Sequence, residues 1–487
     1  MNRIIYRMLF FFLVFGMVCV VSGVQAKDDD NAAEKEKKSE LKKLKKAYRN
    51  DNPNERMAVV SAAIELDFPD ACKWLDAVAG NDPHPCVCIF ALSYRQILED
   101  KKIISQLLCY ATSYPSPLVR IQAGRLLRRV ALEKRQPIID GLYKFILHGK
   151  QSKGITILQN ENRSTRGAEM ERMAGGVLLG NLIWPEAEAA LLKCLEAKDL
   201  TVCRAGALGY SYLWSNQHEG AMIRLFERVK DVDIRAEILV SLINNPSLKA
   251  VAFLKKARCG ERVLKRIIQR GIPIAEKNLV MIEKHSTQKD ENYDNVVIDY
   301  DTLKRERHYF NWDDEIHICI NTTTSMANNN RLQKAKNHAI GLLPGANASS
   351  LTRYSVVFLR DHNNQYTTKE FILTVDYAKM AAFIQGAIAT GADGSDTPMD
   401  QALKIIAKMP MDPYSPAIRQ VHMYNDERTD KNTNKQNDKK LHALARRLRN
   451  IDGFRINTYV MMNKKRIVSA LKALAEAGGG QMQILSD

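Results

Sequence analysis

The sequence predicts a multidomain chain: an all-α helical-repeat solenoid followed by an α/β domain built on a mainly parallel sheet. Three observations carry this expectation. A pattern with a step of about 32 residues recurs in helical sequence from Pro53 to about Lys284. A polar stretch without that pattern, 285–312, interrupts it. From 313 onward short apolar runs alternate with amphipathic segments as far as residue 487, the order expected of strands and covering helices.

The first 26 residues stand apart. "MNRIIYRMLFFFLVFGMVCVVSGVQAK" has Arg3 and Arg7, then an uncharged apolar run from Met8, then small residues Val24 and Ala26 before Lys27. This is the layout of a secretory signal cut after Ala26. The alternative is an uncleaved anchor, because Met8 to Ala26 is 19 uncharged residues, just enough to span a bilayer. Cleavage removes two arginines and lowers the net charge from +17 to +15. Export points to a periplasmic or secreted protein, and membrane association rests on this segment alone. Residues 27–52 are charged and nearly free of aromatics, and read as a spacer or solvated helix.

The repeats become visible when "NERMAVVSAAIEL", "PCVCIFALSYRQIL", "PLVRIQAGRLLRRV", "MERMAGGVLLGNL", "LTVCRAGALGYSYL" and "VDIRAEILVSLI" are aligned. Each opens on a polar or Pro-marked turn and continues with a basic or small residue, an Ala and an apolar face at helical spacing. With Arg56, Cys88, Arg120, Arg172, Arg204 and Arg235 taken as equivalent, the steps are 32, 32, 52, 32 and 31. The long step holds one repeat plus a polar insert around "GKQSKGITILQNENRSTRG". A fixed period of this size in helical sequence means stacked helix pairs, each burying a face it cannot bury alone. The pattern over 53–284 resembles short HEAT-type repeats, which implies a long curved surface suited to a protein partner.

In the second part, "EIHICIN", "YSVVFLR", "EFILTV", "IRQVHMYN", "RINTYVMM" and "GQMQIL" read as strands. "RLQKAKNHAIGLL", "DYAKMAAFIQGAI", "TPMDQALKIIAKM", "KLHALARRLRN" and "IVSALKALAEA" read as helices. Ligands of such sheets sit at the carboxyl ends of the strands. Those ends carry oxygen-bearing side chains: Asn321-Thr322-Thr323-Thr324-Ser325 after the first strand, Thr397 before a helix in "GADGSDTPMDQAL", and Asp426 after "VHMYN". The first cluster reads either as a turn whose hydroxyls cap the next helix or as part of a cradle for a hard metal ion, which prefers oxygen ligands. The loop from Asp426, "DERTDKNTNKQNDKK", is long, polar and free of glycine, and reads as surface loop beside that cluster.

Residues 313–487 resemble a von Willebrand factor type A domain. The metal-ion-dependent adhesion site of that family is written Asp-x-Ser-x-Ser, with a Thr and an Asp on two later loops. Asn321 stands at the first Asp, Thr323 and Ser325 at the two hydroxyls, Thr397 at the Thr and Asp426 at the last Asp. "ALKALAEAGGGQMQIL" resembles the family's final helix, turn and strand. The resemblance implies a Rossmann-like fold, a divalent cation (Mg2+, or Mn2+ or Ca2+) held by those five residues, and a protein ligand that completes the ion's coordination. Asn321 departs from the pattern. One negative charge at about 5 Å from a dication, at an effective dielectric near 20, represents roughly 6 kcal/mol before desolvation, so the site is expected to be weakened.

Several function classes find no support in the sequence. There is no Gly-x-Ser-x-Gly, no His-Glu-x-x-His and no Gly-x-x-x-x-Gly-Lys, so no enzymatic activity is expected. Nucleic acid is not an expected partner despite the basic charge, because no aromatic-interleaved basic platform is visible. The eight cysteines beyond Cys19 lack metal-ligand spacing and read mostly as small core residues. The expected function is an exported protein-binding or adhesion protein; the alternative is a structural subunit of an envelope or secreted assembly with a dead metal site.

Overall fold

The computed structural model describes residues 27–50, 52–82, 84–114, 117–148, 167–213, 218–286, 308–343, 350–360, 368–390, 399–409, 417–426 and 435–485. The signal segment 1–26, most of the insert and linker, Thr397 and most of the loop after Asp426 lie outside the described residues. The chain divides into two compact units, Met1–Tyr94 and Arg95–Asp487.

In the first unit the charged stretch forms helix α1 (Lys27–Ala47), followed by α2 (Pro53–Leu66), α3 (Pro69–Asn81) and α4 (Pro85–Ala91). Asn52 caps α2 by accepting from the Asn54 N–H at 3.0 Å, with Pro53 pre-set for the first turn. The helix α1 is more than a spacer: its Leu41 is buried against Phe68 and Ala71. Arg56 is buried and clamps Asp82 through Nε at 2.8 Å and Nη2 at 3.1 Å.

The second unit begins with ten further α-helices among the described residues, ahead of its sheet. They are α5 (Lys101–Ser113), α6 (Pro117–Leu127), α7 (Arg135–His148), α8 (Gly167–Leu182), α9 (Pro185–Leu195), α10 (Leu200–Tyr212), α11 (Glu219–Arg228), α12 (Val232–Asn244), α13 (Leu248–Lys256) and α14 (Arg262–Ser286). Asp100, Asp199 and Asp231 cap α5, α10 and α12, each accepting from two backbone N–H groups of the first turn. The helices α8, α10, α12 and α14 pack in succession, each on the next. Small residues set the closest approach: a Cβ at Gly176 of α8 would stand 2.1 Å from the Ala205 carbonyl oxygen of α10, and one at Gly180 2.0 Å from that of Gly209.

The sheet has the order β3-β2-β1-β4-β5-β6. Its strands are β1 (Asp314–Asn321), β2 (Thr352–Leu359), β3 (Thr368–Thr374), β4 (Ile418–Asn425), β5 (Phe454–Val460) and β6 (Gly479–Ile484). All pairs are parallel except β2–β3. The covering helices are α15 (Arg331–Gly341), α16 (Tyr377–Gln385), α17 (Met399–Lys408), α18 (Lys435–Asp452) and α19 (Lys465–Ala477). All eleven strands and helices expected after 313 are present in their expected order. The central strands β1 and β2 are almost wholly buried because both faces are covered. Register explains the buried charges: Glu315 lies opposite Arg353 on β2 and Arg419 on β4. Its carboxylate is paired with both guanidinium groups, the Arg419 Nε at 2.9 Å, and those charges hold it below the usual range against the push of burial.

The polar stretch 285–312 separates two kinds of element but not two cores. Met170 and Met173 of α8 and Leu208 of α10 lie in one buried cluster with Leu373, Met399 and Met423 of the α/β part. Arg120 of α6 donates from Nη1 to the Ala407 carbonyl and from Nη2 to that of Met409, both at 2.9 Å. Arg204 of α10 donates to the Leu373 carbonyl. Asp233 of α12 accepts from the Thr374 hydroxyl and the Val375 N–H at 2.8 Å. Arg270 of α14 holds Asp313 at 2.7 and 2.9 Å. Part of the helical face expected to meet a foreign protein is therefore covered by the chain's own sheet.

Candidate functional site at the carboxyl ends of β1 and β4

The strands β1 and β4 run side by side, with Ile320 opposite Tyr424. From β1 the chain goes to β2 and β3 on one side, and it returns with β4 on the other. Their carboxyl ends therefore diverge at the crevice where ligands of such sheets bind. Asn321 ends β1, and Asp426 follows the last residue of β4.

Local sequence places each group. Thr322 is held to β2, its N–H donating to the Leu359 carbonyl at 2.8 Å and its hydroxyl to the same oxygen at 3.0 Å. The chain then enters a short 3-10 segment, Thr324–Asn330, pinned from below by the buried Met326. Asn329 and Asn330 have left-handed backbone, φ 51° and 60°, which asparagine tolerates well among non-glycine residues. Arg331 opens α15 immediately afterwards.

The structure brings four of the five expected residues together: Asn321, Thr323, Ser325 and Asp426; Thr397 lies outside the described residues. The side-chain amide of Asn321 donates from Nδ2 to Asp426 Oδ1 at 3.0 Å and to Asn425 Oδ1 at 2.9 Å. Its Oδ1 accepts from the Thr323 N–H at 3.0 Å. This fixes the amide, since the reverse orientation would set oxygen against two acceptors. The Ser325 hydroxyl donates to Asp426 Oδ1 at 3.1 Å. With that hydrogen committed, it is the Thr323 hydroxyl that donates to Ser325 Oγ, at 2.9 Å. Thr323 makes no side-chain capping bond, so the hydroxyls serve the cluster rather than the helix start.

Two participants were not anticipated from the sequence. Asn425 takes one hydrogen of Asn321. Arg331 donates from Nη1 to Asp426 Oδ2 at 3.1 Å and to the Ser325 carbonyl at 3.1 Å. The signal for Arg331 was its position: a cation in the first turn of a helix opposes the helix dipole and calls for a local anion. Asp426 is almost fully buried, at 1% exposure. Burial raises its carboxyl above the ordinary value, while Ser325 and Arg331 work in the opposite direction.

As they stand, these donors do not fit a divalent cation. The one carboxylate has an N–H or O–H donor on both oxygens, the Asn321 oxygen is engaged by backbone, and a guanidinium already supplies the positive charge. Among the described residues no group of three or more His, Cys, Asp or Glu side chains is gathered where it could hold a metal ion.

A second polar constellation lies inside the sheet. His317 of β1 hydrogen-bonds through Nδ1 to the Ser355 hydroxyl of β2 at 2.7 Å. Such a pair suits nucleophilic chemistry, but both residues have zero exposure. Burial lowers the His317 imidazole to about 3, and it is neutral at physiological pH.

No protein-family model matches the sequence, and no curated protein matches it. Solved structures match parts of it. The von Willebrand factor type A domain of SpRpn10 is 13% identical, with a TM-score of 0.28, and the match covers 36% of this chain and 88% of that one. Proximal thread matrix protein 1 from the mussel byssus is 16% identical, with a TM-score of 0.25, over 36% of this chain and 41% of that one. Human deoxyhypusine hydroxylase in complex with glycerol is 16% identical, with a TM-score of 0.21, over 51% of this chain and 98% of that one. Likenesses this low leave the fold to be carried by the strand order itself.

Proposed function

We propose that the protein is an exported, non-enzymatic protein-binding scaffold. Its helical repeats form a solenoid base, and the partner docks at the carboxyl end of the sheet. The observation that supports this most directly is the knuckle 327–330. These four residues are exposed, yet they are held from behind by buried Met326, by the Asn321–Asp426 cluster and by two left-handed asparagines. A surface fixed in this way loses little entropy on binding a partner. The His317–Ser355 pair has no route to substrate, which favours binding over catalysis.

A photoreactive side chain at Asn328 tests this, with a second at Ile418, which is 49% exposed at the opposite end of β4. Crosslinking of one discrete protein from Asn328 and not from Ile418 is the expected result; equal labelling from both, or none, would refute it.

A second reading, a structural subunit of an envelope or secreted assembly, is favoured by three exposed leucines of the helical segment. Leu132, Leu200 and Leu248 are 66%, 51% and 72% exposed. A crosslinker at Leu200 that captures the partner while Asn328 captures nothing would favour this reading.

A further inference from the structure

We propose that Arg331 is the resident cation of the strand-end site: its guanidinium, tethered to α15, supplies at Asp426 the positive charge that a divalent ion would bring, so the site works without metal. Two changes act together here. An acid is missing at Asn321, and a cation is supplied by Arg331. The Asp426 carboxylate and the Arg331 guanidinium sum to zero charge, and the groups that touch them are neutral. A dication entering this cluster would bring two charges where the one acid among its described residues, Asp426, is already balanced by Arg331 and only 1% exposed. Desolvating such an ion without compensation is strongly unfavourable.

The geometry shows what the tether achieves. A metal ion joins loops by ligating oxygens from each. Here Arg331 Nη1 joins the Ser325 carbonyl, on the β1 loop, to Asp426 Oδ2, beyond β4, at 3.1 Å each. Asn321 Nδ2 joins the same two strand ends from below, through Asp426 Oδ1 and Asn425 Oδ1. An Asp at 321 would set a second carboxylate about 3 Å from Asp426, tolerable only with a cation between them. Asn321 and Arg331 are thus one device: the amide removes the repulsion, and the guanidinium neutralises the acid that remains.

Mn2+ is the probe, titrated into the chelator-treated full chain with calorimetry and melting temperature as readouts. Wild type is expected to show no saturable heat and no thermal shift. The double variant Asn321→Asp/Arg331→Ala is expected to bind Mn2+ at least about tenfold more tightly than wild type, the scale on which one added and one removed charge act at a partly buried site. Adding Asp426→Ala is expected to abolish that gain. Arg331→Ala alone is expected to melt below wild type, and Arg331→Lys, which keeps a cation, to remain indifferent to Mn2+. Saturable Mn2+ binding by wild type that Asp426→Ala removes would overturn the proposal. So would a folded double variant, shown by an unchanged far-UV spectrum, that binds no Mn2+.

Discussion

Arg331 replaced by leucine leaves the Asp426 carboxylate buried beside only neutral donors. Removing one partner of a buried ion pair costs about 3 kcal/mol or more, so the urea midpoint of Arg331→Leu should fall accordingly at pH 7. The loss should shrink at acid pH, because protonating Asp426 removes the charge that Arg331 compensates. An equal loss at pH 7 and pH 4 would show that the guanidinium contributes packing rather than charge. His317 makes a second prediction of this kind. Its imidazole titrates at about 3 in the fold and near its ordinary 6.5 in the unfolded chain. The unfolded state therefore binds a proton that the native state refuses as pH falls from 6.5 toward 3. Stability contributed by neutral His317 is complete above that window and is lost through it, on the order of 4 kcal/mol in all. A His317→Gln variant should show a shallower fall in melting temperature between pH 6.5 and 4 than wild type; parallel curves would mean that the proton uptake lies elsewhere. The residue scale is where the sequence was least legible. Asn321 and Asp426 were found by their order along the chain, but the direction of the Asn321 amide and the identity of the cation depend on partners 95 to 105 residues away.

At the scale of elements, the 32-residue period has a physical content that spacing alone did not reveal. Arg56 pairs with Asp82, Arg172 with Asp199 and Arg235 with Glu261. In each case an arginine early in one helix reaches an acid close to the start of the next repeat, 26 or 27 residues on. The equivalent Arg120 and Arg204 reach to carbonyls of the α/β part, Arg204 while also standing 3.7 Å from Asp233. The helices of this region also approach one another closely through small residues. Gly176→Ala would set a methyl against the Ala205 carbonyl and should destabilise by about 2 kcal/mol. Gly80→Ala, in the last turn of α3 with open space around its Cβ position, should stabilise by roughly 0.5 kcal/mol. Paired urea titrations check both signs, and similar effects from the two would mean that helix propensity, not close approach, sets the glycine at 176.

At the scale of the molecule, the α/β part is built onto the helices rather than joined to them by a string. Asp233, Arg204, Arg120 and Arg270 meet it along four helices, and Met170, Met173 and Leu208 share its core. The prediction follows that residues 308–487 expressed alone melt well below the full chain and bind a hydrophobic dye, because the surface around Leu373 and Met399 loses its cover. A fragment that melts with the full chain and stays dark would contradict a shared core. Asp233→Ala in the full chain should act in the same direction, since it strips Thr374 and Val375 of their acceptor and removes one of the two acids beside Arg204, Glu237 being the other.

The sequence by itself determined the kinds of element, their order after 313, and the clustering of small oxygen-bearing groups at one end of the sheet. These follow from local periodicity, from turn chemistry and from the rule that parallel strands deliver their carboxyl ends to one side. Only the tertiary structure decided that Arg331 sits on Asp426, that Asn321 gives its hydrogens to the β4 end, and that two repeat arginines hold the sheet. Those outcomes depend on which side chains distant in sequence are desolvated together. A buried charge must find its counter-charge wherever the fold puts one, and a one-dimensional pattern carries no record of that meeting.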